Sequence, residues 1–226
     1  MAGTTEPTSP VRPIYLDQRI ILEGVSWATY QKLAEEIGDR RLLKSYNRGV
    51  LELVSPGLRH ERYRIGLDRI VRVVAEEFDV PLKCLGSTTW NDPAAERALE
   101  PDEGYLLTRE KLAEFVRKRP RTAADCPRPD LVIEVDISRP AVDRTEVYAT
   151  LGIAEVWRFD GRSLRIDNLR DDGTYEPATV SRFLPIPPAE VVRWVVHEEA
   201  EDDNAWSRRL RAWVRATLAP PPAGGG

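Results

Sequence analysis

The sequence predicts a mixed α/β fold: a central mixed β-sheet flanked by helices, with an extra helix near the C-terminal end. Two observations carry this. Stretches with apolar residues at helical spacing are interleaved with short apolar or alternating runs, in the order helix, hairpin, long helix, strands, helix, strand, helix, strands. The chain is also long enough, at 226 residues, and apolar enough, at 42% hydrophobic, to bury a full core without staples.

Residues 1–13 are rich in Pro, Thr and Ser and are expected to form a disordered tail. Ser26 is an N-cap for WATYQKLAEEIG, and Gly38 closes that helix. LLKSY and VLELVS flank the turn NRG and read as a β-hairpin. From Arg59 to Phe78, the residues Ile65, Leu67, Ile70, Val71, Val73, Val74 and Phe78 recur at helical spacing and mark the longest helix. Pro81 to Trp90 reads as a strand, Asp92 to Glu100 as a loop and DEGYLL as a short strand. Thr108 caps the helix REKLAEFVRK. PDLVIEVDIS, residues 129–138, is the next strand, and a short helix from Ala141 to Leu151 ends at Gly152. AEVWRFDG and SLRIDNLR are strands about a turn at Asp160-Gly161, TYEPATVS adds another, and Pro188 to His197 is a helix. The main domain thus covers 14–197. The segment 198–218 holds an acidic linker, Glu198 to Asn204, and a helix with Trp206, Leu210, Trp213, Val214 and Leu218 on one stripe. That stripe serves either its own domain or a partner. Residues 219–226 are a flexible tail.

Composition excludes several classes of function. No run of about 18 apolar residues occurs, so no transmembrane helix and no membrane association are expected. The first residues lack the apolar stretch of a secretory signal. Two cysteines, Cys84 and Cys126, and two histidines cannot build a Cys/His zinc site of the usual spacing. Reduced thiols and a cytoplasmic location are the expectation. The patterns G-x-S-x-G, G-x-G-x-x-G and Walker A are absent. The net charge of −4 argues against a generally basic nucleic-acid binder, but the charge is patchy. Arg117, Lys118, Arg119 and Arg121 cluster, as do Arg208, Arg209, Arg211 and Arg215. Such runs are more often solvated faces than DNA grooves.

The chemistry lies in PDLVIEVDIS. Alternate residues of a strand share a face, so Asp130, Glu134 and Asp136 lie on one side and Leu131, Ile133, Val135 and Ile137 on the other. An acid between Ile133 and Val135 in a central strand is costly unless paired or ligated. Hard divalent cations take oxygen ligands, and Mg²⁺ is commonly held by one or two carboxylates plus waters. Glu134, with Asp136 as a further candidate, fits that role. The acids opening EPDEGYLL are the best candidates for a second strand's contribution. Plainer readings stand beside these. Asp130 can cap a turn, Asp136 can pair with Arg139 or Arg144, Glu52 can be a solvent-face acid, and His60 and His197 can be surface residues.

PDE-x-Y, PDLVIEVDIS, the helix DRTEVYATLGI and AEVWRFDG together resemble the Uma2 family. These are bacterial endonuclease-type proteins of the restriction-endonuclease-like PD-(D/E)xK superfamily. VLELVSPGLRHERYR is similar to the family's upstream segment, and the likeness spans Ser26 to Trp194. The resemblance implies that Asp102 is the PD aspartate and a metal ligand, and that Glu134 is the second acidic ligand. It implies that the Val135 carbonyl faces the metal, that Glu52 orients a ligand or water, and that His60 sits beside the same cleft. The pattern's lysine, two residues after Glu134, is replaced by Asp136. In the family it often comes from the following helix, four residues before a tyrosine. Counted from Tyr148, that position is Arg144. Arginine can stabilise charge on a phosphate but cannot act as a base near neutral pH. The base is then a water on the metal, or none is needed because the protein is inactive.

The reading implied is a Mg²⁺-dependent endonuclease acting on DNA, with Mn²⁺ also suited to the ligands. A homodimer is a further expectation by analogy. Two alternatives come from other classes: a nuclease-fold module that binds nucleic acid without turnover, and a protein-interaction element acting through the helix from Trp206.

Overall fold

The computed structural model describes residues 17–38, 40, 42–196 and 202–218. The two expected tails, His197 and most of the acidic linker lie outside these residues. Among the described residues no helix is long and apolar enough to cross a membrane.

The fold is mixed α/β, but the strands divide between two sheets where one was expected. β1 (Gln18–Leu22), α1 (Trp27–Ile37), β2 (Leu43–Asn47) and β3 (Val50–Ser55) come first. Ser26 caps α1 through its side chain, at 3.2 Å from the Thr29 amide. The β2–β3 hairpin turns at Arg48 and Gly49, both with positive φ, as a two-residue hairpin turn demands. β1 was not foreseen. QRIIL is short and does not alternate, and its strand exists only through antiparallel pairing with β3, far along the chain, from Gln18 with Ser55 to Leu22 with Leu51.

α2 (Leu58–Glu77) is the long helix. The expected strand over Pro81–Trp90 shrinks to β4 (Lys83–Cys84), and the expected loop over 92–100 contains half of a small hairpin, β5 (Trp90–Asp92) with β6 (Arg97–Leu99). These three-residue strands carry too few residues to show a period. β7 (Glu103–Leu106), α3 (Arg109–Lys118), β8 (Leu131–Val135), α4 (Arg144–Leu151) and β9 (Glu155–Phe159) follow. α4 is shorter than expected at its start because Asp143 caps it, accepting from the Thr145 and Glu146 amides. β10 (Leu164–Leu169), β11 (Tyr175–Ala178), α5 (Pro188–Val196) and α6 (Asp203–Thr217) complete the order.

One sheet is antiparallel, in the order β1-β3-β2-β6-β5. The other, β11-β10-β9-β8-β7-β4, is mixed, with β8 and β9 parallel and α4 as their crossover. The two faces of β8 part as the alternation requires. Leu131, Ile133 and Val135 join a core with Leu67, Ile70 and Val74 of α2. Val132 packs with Val147, Tyr148 and Leu151 of α4. α6 packs on its own chain: Trp206, Leu210 and Val214 are buried in the α2 core, and Arg211 and Arg215 pair with Glu76 and Glu77. Its apolar stripe is therefore not free for a partner.

Candidate active site

Five elements and one loop converge on the polar face of β8. The β7–β8 register pairs Glu103 with Ile133, so one step further sets Asp102 opposite Glu134. Directly opposed residues share a face. The strand pair thus puts the two acids side by side, and both are almost wholly buried. Asp102 accepts from the Val135 amide at 2.7 Å and from His60 Nε2 at 2.7 Å. His60, on the first turn of α2, reaches Asp17 Oδ2 with its other ring nitrogen at 3.3 Å, and the Gly57 amide donates to Asp17 Oδ1 at 2.8 Å. Glu134 is held on both oxygens from α4: Tyr148 Oη donates to one, and Arg144 Nη1 to the other. Arg144 Nη1 also lies 3.3 Å from Asp136, and its Nη2 lies 3.7 Å from Glu52 Oε2.

Glu52, on β3, is fully buried, which removes its solvent-face reading. Its Oε1 takes hydrogen bonds from Arg19 and from the Ala141 amide, at 3.1 Å for the amide. Its Oε2 has no hydrogen-bond partner. Arg19 also donates to the Arg139 carbonyl at 2.8 Å and Ser138 Oγ at 2.9 Å, and so fastens the loop after β8 to β1. His60 is likewise buried rather than superficial. Asp136 pairs with Arg144, as one of its plainer readings had it.

Asp130, the third acid of the alternating face, does not reach this centre. It takes the Leu107 and Thr108 amides at 2.8 and 3.0 Å, the Thr108 hydroxyl at 3.1 Å and Lys111 at 2.8 Å. It supports the start of α3, where the Thr108 side chain itself makes no cap bond. The sequence reading missed Asp17, Arg19 and the direct role of Tyr148. Asp17 and Arg19 carry no motif and enter only because β1 pairs with β3. Tyr148 was visible, as the residue from which Arg144 was counted.

The electrostatics follow from burial. Burial alone would lower the His60 pKa, but hydrogen bonds and charge from Asp102 and Asp17 override it and raise it to about 10. His60 is therefore protonated at neutral pH and cannot take a proton from water. Burial pushes Glu134 up to about 7, against the Arg144 charge and with Asp102 adding to the rise. Burial also raises Asp136, with Arg144 opposing. Burial would lower Arg144, yet Glu134 and then Asp136 more than reverse this and hold it above its ordinary range. Arg144 stays charged.

A divalent cation fits this donor set in chemistry. Asp17, Glu52, Asp102, Glu134 and Asp136 face Arg19, Arg144 and protonated His60. Five carboxylates face three cations, so acids outnumber cations there even with Glu134 raised to about 7. The buried Glu52 Oε2 is an unused oxygen, and each carboxylate oxygen engaged once keeps a second lone pair. Asp102 and Glu134 are the residues that would hold the ion, with Asp136 beside them. At Val135 the contact observed is the amide on Asp102, at 2.7 Å. The donors are not gathered into a ready shell, however. Among the described residues, the one trio of His, Cys, Asp or Glu whose ligand atoms lie within 4.8 Å of one another is Asp68, Cys84 and Glu103, on the opposite face of β7.

Two cavities adjoin the centre. One of about 480 Å³ is walled in part by Lys44, Glu61, Arg64, Glu100 and Asp102. The other, of about 680 Å³, has Asp136 and Arg144 in its wall.

Two comparisons bear on this arrangement. The family model for Uma2, described as "Putative restriction endonuclease", matches residues 27–196. Comparison with curated proteins gave no match. With three quarters of its length inside that family model, the chain belongs to the Uma2 family.

Proposed function

We propose that this Uma2 member is a divalent-metal-dependent endonuclease that hydrolyses DNA phosphodiester bonds at the Asp102–Glu134 centre. The observation that carries the reading is the surplus of carboxylates over cations around Asp102 and Glu134, both buried, beside Arg144. Such an excess is costly unless a cation completes it. A bound ion of this class supplies Lewis acidity and lowers the pKa of a ligated water.

The chain's own residues have separable roles. Asp17 and the Gly57 amide orient His60, and His60 with the Val135 amide fixes the Asp102 carboxylate. Tyr148 fixes Glu134. Arg144 presents a permanent positive charge to the phosphate, where charge grows on the equatorial oxygens. Neither Arg144 nor His60 can act as a base. Glu52 Oε2 faces Arg144 at 3.7 Å but makes no hydrogen bond, and in this reading it takes the proton of an attacking water. Water oxygen bonds to phosphorus, the bond to the leaving ester oxygen breaks, and the water proton passes to Glu52. The leaving alkoxide takes a proton from solvent, and Glu52 returns its own.

Supercoiled plasmid incubated with Mg²⁺ or Mn²⁺ tests this, using wild type beside Asp102→Asn and Glu134→Gln. The expected result is metal-dependent cleavage lost in both variants while their circular dichroism is unchanged. Cleavage that survives either substitution overturns the reading. The observation favouring a binding module without turnover is arginine at the lysine position. Arg144→Lys then gains cleavage that wild type lacks.

A further inference from the structure

The 680 Å³ cavity has a composition that the hydrolytic centre does not require. Arg139, Arg144, Arg158 and Arg165 line it, with Asp136, Asp143 and Asp160. The three acids face inward commitments. Asp143 caps α4 through the Thr145 and Glu146 amides. Asp160 accepts from the Arg162 and Ser163 amides at 2.8 and 2.7 Å and from the Ser163 hydroxyl at 2.8 Å. Asp136 pairs with Arg144. The arginines are less fully engaged. Arg139 is exposed, and among the described residues no carboxylate pairs with its guanidinium. Arg158 and Arg165 share one carboxylate, Asp167, at 3.3 and 2.9 Å. Arg144 Nε is buried with no hydrogen-bond partner. In a chain of net charge −4, this lining holds four arginines to three aspartates, with the Arg139 and Arg165 guanidiniums exposed, and it adjoins the buried centre through Asp136 and Arg144. No aromatic ring is among the residues that line it, so it offers no platform for stacking bases.

We infer that this cavity seats the sugar-phosphate backbone of a DNA duplex, with Arg139 and Arg165 holding phosphates that flank the one presented to Arg144. The inference rests on the proposed hydrolytic reading for its choice of ligand. Guanidinium groups suit phosphate through paired N–H donors. Contacts of this kind position the duplex and carry no base preference.

The test is fluorescence anisotropy of a labelled duplex of about 20 base pairs with full-length protein in chelator, over a range of salt. Chelator separates binding from hydrolysis. Arg139 and Arg165 are exposed, and Asp167 keeps Arg158, so an Arg139→Ala/Arg165→Ala variant preserves the fold. It is expected to bind at least about tenfold more weakly, with the log–log salt slope reduced by about 2, near one for each phosphate no longer held. Two duplexes of different base composition are expected to lose affinity equally. Arg117→Ala/Arg121→Ala, in the basic patch after α3, is expected to bind as wild type does. Unchanged affinity in the first variant, a weakening in the second, or a weakening confined to one base composition overturns the inference. Failure of the hydrolytic reading is distinguished by plasmid assay with metal. Wild type that cuts while Arg139→Ala/Arg165→Ala cuts with unchanged KM leaves hydrolysis standing and removes only this seat. Wild type that never cuts but shows the predicted salt slopes removes hydrolysis and keeps the seat.

Discussion

Asp102 and Glu103 are neighbours in sequence and belong to two different polar clusters. Strand geometry sends their side chains to opposite faces. Asp102 meets Glu134, His60 and the α4 side, whereas Glu103 meets Arg64, Cys84 and Asp68 on the α2 side. By distance alone, the Glu103 cluster is the better metal trap. Its charges are more nearly offset: Asp68 pairs with Arg72 at 2.7 Å, Glu103 shares Arg64 with Glu61, and burial pushes the Cys84 thiol up to about 11, so it is neutral. The Asp102 cluster is looser in space and holds more carboxylates than cations. The comparison teaches that the balance of charge, rather than closeness of donors, is what sets the two clusters apart.

The largest way to break the comparison is Glu134→Ala. It strips Arg144 of its closest partner in a fully buried setting, and Arg144 cannot shed its proton. A loss of about 3–5 kcal/mol is expected by urea denaturation, and Arg144→Ala in the same chain should recover part of it. A loss under about 1 kcal/mol would mean that the centre is not electrostatically buried.

A second effect is pH dependence. Folding raises Glu134 from an ordinary 4.5 to about 7. The folded state therefore binds more protons than the unfolded state across that window, and stability falls as pH rises through it. The contribution is full below 4.5. Up to about 1.4 kcal/mol per pH unit is expected. It is read as the difference between wild type and Glu134→Gln, which holds no titratable proton there. Parallel profiles for the two proteins contradict the assignment.

Third, Mg²⁺ should raise the melting temperature of wild type. The stabilisation is about 2.7 kcal/mol at a hundredfold excess over Kd. Asp102→Asn should abolish it, whereas Asp68→Asn should keep it. The reverse pattern would move the metal to the Glu103 face.

The smallest effect is expected for Glu103→Gln. Arg64 is partly exposed and keeps Glu61 at 3.1 Å, so the cost is about 1 kcal/mol or less by thermal melting. A larger loss would show that the charges of this cluster are not offset.

Much of the centre was legible because strand alternation is local. The three acids of PDLVIEVDIS, the apolar face behind them and the caps at Ser26 and Gly38 need only neighbours in sequence. Alternation placed Asp130 on the same face as Glu134, yet only its partners at 107, 108 and 111 show that it serves α3. β1 and the β5–β6 hairpin were not legible, since QRIIL does not alternate, the β5 and β6 strands have three residues each, and pairing rather than pattern creates them. With β1 went Asp17 and Arg19.

By itself, then, the sequence determined which residues could do chemistry: which acids share a face, that an arginine stands where a lysine is expected, and where helices start and stop. Those depend on covalent spacing and local backbone geometry. The tertiary structure alone decided how these groups are charged and joined. It brought Glu52 from β3, His60 from α2 and Arg144 from α4 to one buried point, and it made His60 a cation and Glu134 a weak acid. Desolvation and Coulomb interaction depend on separation in space, which no spacing along the chain encodes.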